Sequence, residues 1–283
     1  MSLNNNYLIQ KSNPLLQELR KSKLNMADLK LIEVYLSKIN SHNKDSREVT
    51  FSKTDLQEIY GKNIFTSHIE KSLDNIQNLK VSKISENGTL STKETISLFE
   101  YSKISYNDNG TQDIKLKCSE SAMKYIFELE SLGYLQYKLK NIVYLRSRYS
   151  YQLFLYLIQN KFKSTWTVSV TELSMLLNSP YDNFYEMNKV VLKPSLKEIN
   201  EKTSLKFEYT TIRRGADHAT KEVVFNILEW GELKNVLSDI EPEIESITEN
   251  QNEEKLKVPC DKVMKEYLEE KNPNLEITWS TCT

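Results

Sequence analysis

The stretch that decides the fold runs from Arg146 to Trp230. It consists of RSRYSYQLFLYLIQN (146–160), WTVSVTELSMLLNSP (166–180), FYEMNKVVLKPSLKEINEKT (184–203) and LKFEYTTIRRGADHATKEVVFNILEW (205–230). Apolar residues recur at helical spacing in the first three segments, which predicts three helices. Ser169, with Glu172 three residues later, is the expected N-cap of the second helix. The last segment alternates polar and apolar residues on either side of Gly215, which predicts a long β-hairpin.

Three helices followed by a hairpin with a basic tip form the outline of a winged helix. In that fold the third helix enters the DNA major groove and the hairpin contacts the DNA backbone. The third predicted helix turns an apolar stripe inward, and polar or basic residues lie outside it and at the hairpin tip. These candidate DNA-binding residues are Tyr185, Asn188, Lys189, Lys193, Lys197, Arg213 and Arg214. Because most charged residues simply face solvent, DNA binding and a solvated surface stay equal alternatives for this stretch taken alone.

Three phrases in this stretch resemble the second winged-helix domain of theta-type plasmid replication initiators. They are YSYQLFLYL (149–157), VLKPSLKEINEKTSLKFEY (191–209) and the turn around RRG (213–215). That family binds repeated origin sequences called iterons. The resemblance implies that the third helix continues through Pro194, where a proline normally breaks a helix, so we expect a kink there. It also implies dimers that repress their own promoter, monomers that bind iterons, and contacts with the host initiator and replicative helicase.

The N-terminal half repeats this order of elements with little residue identity. Two helices are predicted within 13–41, a short helix follows Ser52, and a longer helix spans 65–79. A hairpin with a turn at Asn87-Gly88 comes next, and a further turn at 107–110 adds an extra strand. The outward face of the longer helix carries polar residues that are the candidate DNA contacts of this half. They are Thr66, Ser67, His68 and Lys71.

We therefore predict an α+β fold of two tandem winged-helix domains, each with helices and a β-hairpin wing. The predicted N-terminal domain covers residues 1–140 and the C-terminal domain covers residues 141–237. An acidic, flexible tail is expected at 238–283, although residues 258–271 have the pattern of a helix that could instead dock on a partner. An isolated helix of that length is only marginally stable in water, which favours the tail.

The charge distribution separates the tail from the rest of the chain. The net charge is −1, which by itself argues against a nucleic-acid-binding protein. From Gly231 onward there are 6 Lys against 13 Asp and Glu, a balance of −7. The first 230 residues hold the remaining 32 Lys and Arg against 26 Asp and Glu, a balance of +6. A modestly basic body is consistent with DNA binding.

Cysteine and histidine usage argues against disulfides and metal sites. The three cysteines are widely spaced, and His42, His68 and His218 have no second ligand at metal-binding spacing. No apolar run approaches the ~20 residues that span a bilayer, and the N-terminus lacks the apolar core of a signal peptide. These patterns predict a cytoplasmic protein without metal, cofactor or membrane contact.

No motif predicts an enzyme. The chain has no glycine-rich phosphate loop ending in GK[ST] and no histidine pair of the kind that holds the metal of a nicking enzyme. We predict a plasmid replication initiator that binds double-stranded iteron DNA and represses its own promoter. Two other functions fit the same fold: a winged-helix transcriptional repressor with no role in replication, and a protein-binding adaptor.

Overall fold

The computed structural model of the protein describes residues 6–39, 45–60, 63–87, 90–108, 110–213 and 220–228, together with the pairs 257–258 and 278–279. Side chains are described over these ranges except at 82–93 and in the last two pairs. The helices are α1 (Asn13–Lys21), α2 (Met26–Lys38), α3 (Lys53–Tyr60), α4 (Thr66–Gln77), α5 (Met123–Phe127), α6 (Leu129–Leu132), α7 (Lys140–Val143), α8 (Arg148–Asn160), α9 (Val170–Leu177), α10 (Phe184–Met187) and α11 (Lys193–Lys202). The strands are β1 (Leu8–Ser12), β2 (Glu48–Ser52), β3 (Lys80–Asn87), β4 (Leu90–Ser97), β5 (Phe99–Tyr106), β6 (Gln112–Cys118), β7 (Tyr134–Lys138), β8 (Thr165–Ser169), β9 (Phe207–Arg213), β10 (Thr220–Ile227), β11 (Lys257–Val258) and β12 (Thr278–Trp279).

Two three-stranded antiparallel sheets have the same construction. In the C-terminal sheet the order is β8-β10-β9, and in the N-terminal sheet it is β2-β6-β5. In each, the first strand leads directly into a helix, a second helix follows, and a hairpin then completes the sheet on the first strand. This is the winged-helix arrangement, so the prediction of two tandem winged helices is confirmed.

The wing of the N-terminal winged helix is the hairpin β5–β6. The hairpin with its turn at Asn87-Gly88 was predicted to have that role. In the structure this hairpin is β3–β4, a separate two-stranded sheet inserted between α4 and the wing. Both hairpins have asparagine-glycine turn residues, so local sequence does not distinguish them. The wing is identified by the pairing of β6 with β2, where Val49 lies opposite Leu116, a contact between distant parts of the chain.

The segment WTVS (166–169), which leads up to the predicted N-cap of the second helix, is a strand that the sequence analysis did not predict. Residues Thr165–Ser169 form β8, and the helix begins one residue later at Val170. Val168 is buried while Thr165 and Thr167 are exposed, the alternation of a half-buried strand of β-branched residues. The predicted N-cap is confirmed, because the Ser169 side chain accepts a hydrogen bond from the backbone N–H of Glu172 at 3.1 Å.

The third helix of the C-terminal winged helix is continuous from Phe184 to Lys202 and contains a π-helical turn at Asn188–Leu192. We call this whole segment the recognition helix. The backbone N–H of Lys193 bonds to the carbonyl of Asn188, five residues back. Pro194 follows, at the start of α11, so its missing N–H falls where the α-helical ladder is already interrupted. The helix therefore passes through Pro194, as expected, by means of a π-turn.

Helix α2 lies at the centre of the N-terminal body. All residues from Asp28 to Ser37 are buried, although the sequence predicted a single inner stripe. Part of its cover is a two-stranded sheet of β1 and β7, in which Ile9 lies opposite Tyr137. Neither β1 nor β7 is predicted from the sequence. The sequence predicts Asn13 as the N-cap of α1, but Ser12 is the N-cap, so the helix begins one residue earlier than predicted, at Asn13.

Residues 1–229 form one compact unit, and residues 230–283 form another. In the second unit the described residues are β11 and β12, which pair in parallel. Val258, expected to begin a helix, lies in β11, while 259–271 fall outside the described residues. The predicted limits of the two domains and the acidic tail stay predictions.

Candidate nucleic-acid interface

The inner face of the recognition helix fixes its position. Met187, Val191 and Ile199 are buried in the core, as their spacing predicted. Ser195 meets Ser150 of α8 with 3.3 Å between the hydroxyl oxygens, and two small side chains allow these helices to approach closely. The carboxylate of Glu198 accepts a hydrogen bond at 2.8 Å from the backbone N–H of Arg146, just before α8 begins. The helix is thus attached to α8 along its inner side, and its other side faces outward.

The outward side carries most of the residues predicted to bind DNA. Tyr185 is 71% exposed, and Lys189, Lys193 and Lys197 are all exposed. None of these three lysines forms an ion pair with any residue in the part of the chain that the structure describes. Their positive charges are available to a phosphate backbone.

Asn188 is half-buried and hydrogen-bonded to the wing. Its Oδ1 accepts a hydrogen bond from the hydroxyl of Tyr209 in β9. Burial raises the pKa of the Tyr209 hydroxyl, which keeps it a neutral donor. This bond uses one lone pair of Oδ1, and the amide nitrogen is a donor of the kind that can pair with purine acceptors such as N7. No sequence pattern predicts this hydrogen bond.

The tip of the C-terminal wing is described only in part. Arg213, the last residue of β9, is exposed and lies opposite Thr220 of β10. Arg214 and Gly215 lie outside the described residues. Arg213 is therefore placed on the wing as predicted, and its contact with DNA stays a prediction.

In the N-terminal winged helix, three of the four candidates lie at the surface. Ser67, His68 and Lys71 are exposed on the first turns of α4. Thr66 is half-buried, and its hydroxyl joins two other elements. It accepts a hydrogen bond from Nζ of Lys53 at 3.1 Å and donates to Oε1 of Gln112 in the wing at 2.9 Å. Thr66 thus holds α4 to the wing, much as Asn188 does in the other domain.

The family models match both winged helices. Residues 8–158 match the model described as "Initiator Replication protein, WH1", and residues 169–227 match "Initiator Rep protein, WH2". The chain belongs to the initiator replication protein family. The resemblance seen in residues 149–215 is confirmed at this level.

Among solved structures, this initiator is similar to the one described as "Crystal structure of Pi initiator protein in complex with iteron DNA". The two have a TM-score of 0.65 and 18% sequence identity, over 81% of this chain and 100% of that chain. At this identity the likeness shows the shared fold. Comparison with curated protein sequences gives no match.

A buried polar network joins the two halves of this initiator. Lys11 of β1 forms an ion pair with Glu33 of α2, and the hydroxyls of Tyr137 and Tyr151 donate to the same carboxylate. Burial lowers the pKa of Lys11, opposed by the charge of Glu33, and raises the pKa values of both tyrosines. Because Tyr151 belongs to α8, the network links the N-terminal body to the helix that supports the recognition helix.

A second contact to α8 comes from two arginines. The guanidinium of Arg148 donates to the carbonyl of Arg20 at 3.0 Å. The guanidinium of Arg20 lies 3.6 Å from the ring centroid of Tyr156, a cation–π contact. These contacts and the buried network fix α8 against α1 and α2, so the C-terminal winged helix has a defined position on the N-terminal body.

Within the described ranges, no group of three or more histidine, cysteine or acidic residues could hold a metal ion. Among the same residues, no helix is both long and apolar enough to span a bilayer. The expectation that this initiator is not an enzyme stays a prediction.

Proposed function

We propose that this initiator binds repeated origin DNA, the iterons of a plasmid, through both winged helices and thereby starts replication. One observation carries the proposal: each winged helix presents an exposed polar or basic helix face that is hydrogen-bonded to its own wing. The bonds are Thr66 to Gln112 in the N-terminal domain and Tyr209 to Asn188 in the C-terminal domain. Helix and wing are then positioned as one DNA-binding surface. The Pi initiator, which has the same fold, forms a complex with iteron DNA.

The residues divide by the chemistry of their contacts. Asn188 and Lys189 read base edges in the major groove, where amide and ammonium groups donate to purine acceptors. Lys193, Lys197, Arg213 and Arg214 bind phosphates. In the N-terminal domain Ser67, His68 and Lys71 contact DNA, whereas Thr66 positions α4 against the wing.

Two winged helices on one chain read two successive stretches of major groove, roughly 10 bp apart. The experiment that tests this is selection of duplexes from a random pool by the full chain, followed by affinity measurement at several salt concentrations. We expect two conserved half-sites about one helical turn apart, and the selected sequence should recur as direct repeats beside the gene. Binding should weaken steeply with salt.

Other outcomes would point to the competing functions. A single inverted repeat beside the gene would indicate a transcriptional repressor. Failure to bind any duplex at low salt would indicate a protein-binding adaptor. These outcomes are distinct because the first retains sequence-specific DNA binding and the second loses it.

We also propose that the protein acts by binding alone, without catalysis, cofactor or metal, in the cytoplasm where plasmid DNA lies. By family resemblance, dimers would repress the promoter, monomers would bind iterons, and the host initiator and replicative helicase would be recruited. Sedimentation of the full chain with and without iteron DNA tests the first part. A nuclease assay with Mg²⁺ on the selected duplex tests the absence of catalysis.

A further inference from the structure

The side chain of Phe65 is exposed at the start of the helix that the N-terminal winged helix presents. It is 71% exposed, as much as any large apolar side chain among the described residues. Helical spacing predicts the opposite. Ile69 lies four residues later and is buried on the inner stripe of α4, so Phe65 would be expected to be buried as well. The reason is the backbone: Phe65 is the N-cap, with φ −75° and ψ 143°, so its side chain leaves the stripe.

The side chain of Phe65 makes no capping hydrogen bond to α4. Its side chain has no acceptor for the free N–H groups of the first turn, which serine, threonine, aspartate or asparagine would satisfy. Instead the ring stands edge-on to His68, with centroids 5.7 Å apart and planes at 89°. An apolar ring is thus held in an ordered position on the surface, although a polar residue there would favour the helix.

The surroundings of Phe65 are those of a DNA-binding surface. Thr66, the next residue, is hydrogen-bonded to Gln112, and Gln112 lies opposite Tyr106 in the wing. Tyr106 is itself 66% exposed. The C-terminal domain has a parallel, since Tyr185, the second residue of its recognition helix, is also 71% exposed. Each winged helix therefore presents one exposed aromatic side chain at the N-terminal end of the helix directed to the groove.

We infer that Phe65 reads a thymine through its C5-methyl group, which makes it a specificity-determining residue of the N-terminal winged helix. This inference rests on the proposed function. In the major groove, thymine is the only standard base that offers a methyl group, and apolar side chains such as phenylalanine contact it. Phe65 has no polar group for hydrogen-bonding to a base edge, so apolar contact is the discrimination available to it. Burial of ring and methyl against each other stabilises the complex.

The test uses the full chain and the duplex obtained by selection, with each thymine replaced in turn by deoxyuridine. Deoxyuridine pairs identically and lacks only the methyl group. We expect one such replacement to weaken wild-type binding about fourfold, the effect of one buried methyl group. Phe65→Ala should weaken binding to the thymine duplex by at least as much and show no further loss at that position. Phe65→Leu, which keeps an apolar side chain, should remain sensitive to the replacement.

The matched control is Leu8→Ala, which removes another exposed apolar side chain, 50% exposed on β1. It should leave both the affinity and the deoxyuridine sensitivity of wild type unchanged. The inference is overturned if no deoxyuridine affects wild-type binding, or if Phe65→Ala keeps every sensitivity of wild type. It is also overturned if Phe65→Ala weakens binding while deoxyuridine has no effect, because a ring wedged between base steps would behave in that way. Absence of any duplex binding by the full chain would instead refute the proposed function itself.

Discussion

The two winged helices share one strand order but treat their positive charges differently. In the N-terminal sheet two lysines are paired: Nζ of Lys115 lies 2.8 Å from a carboxylate oxygen of Glu48, and Nζ of Lys117 lies 3.2 Å from one of Glu100. On the recognition helix, Lys193 and Lys197 have no ion pair within the described part of the chain. A phosphate must compete with a carboxylate in the first case and not in the second. We expect the C-terminal winged helix to supply most of the electrostatic attraction to DNA.

The two domains also differ in what joins helix to wing. In the N-terminal domain the bond is between Thr66 and Gln112, and an apolar ring, Phe65, lies beside it. In the C-terminal domain it is between Asn188 and Tyr209, and the lysines lie beside it. In both domains, a residue predicted to contact DNA forms the hydrogen bond between helix and wing. The exposed groups beside these bonds therefore include an apolar ring in one domain and lysines in the other.

The largest expected effect concerns the buried network that unites the domains. Glu33→Gln leaves the Lys11 ammonium buried without its carboxylate and should lower the free energy of unfolding by about 3–5 kcal/mol. Urea denaturation followed by circular dichroism measures this. Lys11→Met combined with Glu33→Gln should recover part of the loss, since no charge is then left buried. The surface pair Lys124–Glu94 provides the control, because Glu94→Gln should cost at most about 1 kcal/mol.

A smaller expected effect concerns the two residues of the recognition helix that are predicted to contact base edges. Lys189→Ala should weaken binding by about 1–3 kcal/mol at one or two base positions of the selected site, and Asn188→Ala should do the same at a neighbouring position. Affinities for duplexes carrying each single base change test this. An equal loss on specific and random DNA would show that these side chains contact phosphate.

The contrast in charge pairing can be tested through the salt dependence of binding. Lys193→Ala with Lys197→Ala should reduce the slope of log K against log salt by roughly 0.9 for each phosphate that the variant no longer neutralises. Lys115→Ala with Lys117→Ala removes the same charge from the N-terminal sheet and should leave the slope unchanged. If both pairs change the slope equally, the two domains contribute alike and the comparison fails.

The smallest expected effect concerns the hydroxyl that orients Asn188. Tyr209→Phe removes one hydrogen bond and should reduce discrimination at the base read by Asn188 by about 0.5–1.5 kcal/mol. Affinity for random DNA should stay at the wild-type value, which a purely structural loss would not allow. Thr66→Val is the corresponding change in the N-terminal domain and should alter specificity in the other half-site only.

The features predicted correctly from the sequence are those that depend on local hydrophobic periodicity. Helix α8 and the inner stripe of the recognition helix, with Met187, Val191 and Ile199, follow from residues within a few turns of one another. The alternation around Phe207 and Phe225 likewise predicts β9 and β10. The family resemblance extended these local patterns to a function, and the family models confirm the family.

The features that sequence missed depend on distant contacts or on a single backbone angle. Strand β1 exists because it pairs with β7, where Gln10 and Gln136 lie opposite each other. Lys11 is fully buried, whereas a lysine in a sequence is expected at the surface unless its partner is known. Phe65 has the spacing of a buried residue and is exposed because the helix begins one residue after it. Neither composition nor hydrophobic periodicity predicts any of these three features.

The π-helical turn at Asn188–Leu192 divides the recognition helix into two segments of different rotational phase. In an uninterrupted α-helix, Lys189, Lys193 and Lys197 would be four residues apart and would lie along one line. One extra residue in the turn offsets the later segment from the earlier one, so Lys189 and the pair that follows it point in different directions. The later segment is held by Ser195, which contacts Ser150 of α8, and by Glu198, which accepts a hydrogen bond from the backbone just before α8. A one-residue deletion in the turn would therefore bring the three lysines onto one line, and it would also turn Met187 of the earlier segment away from its place in the core.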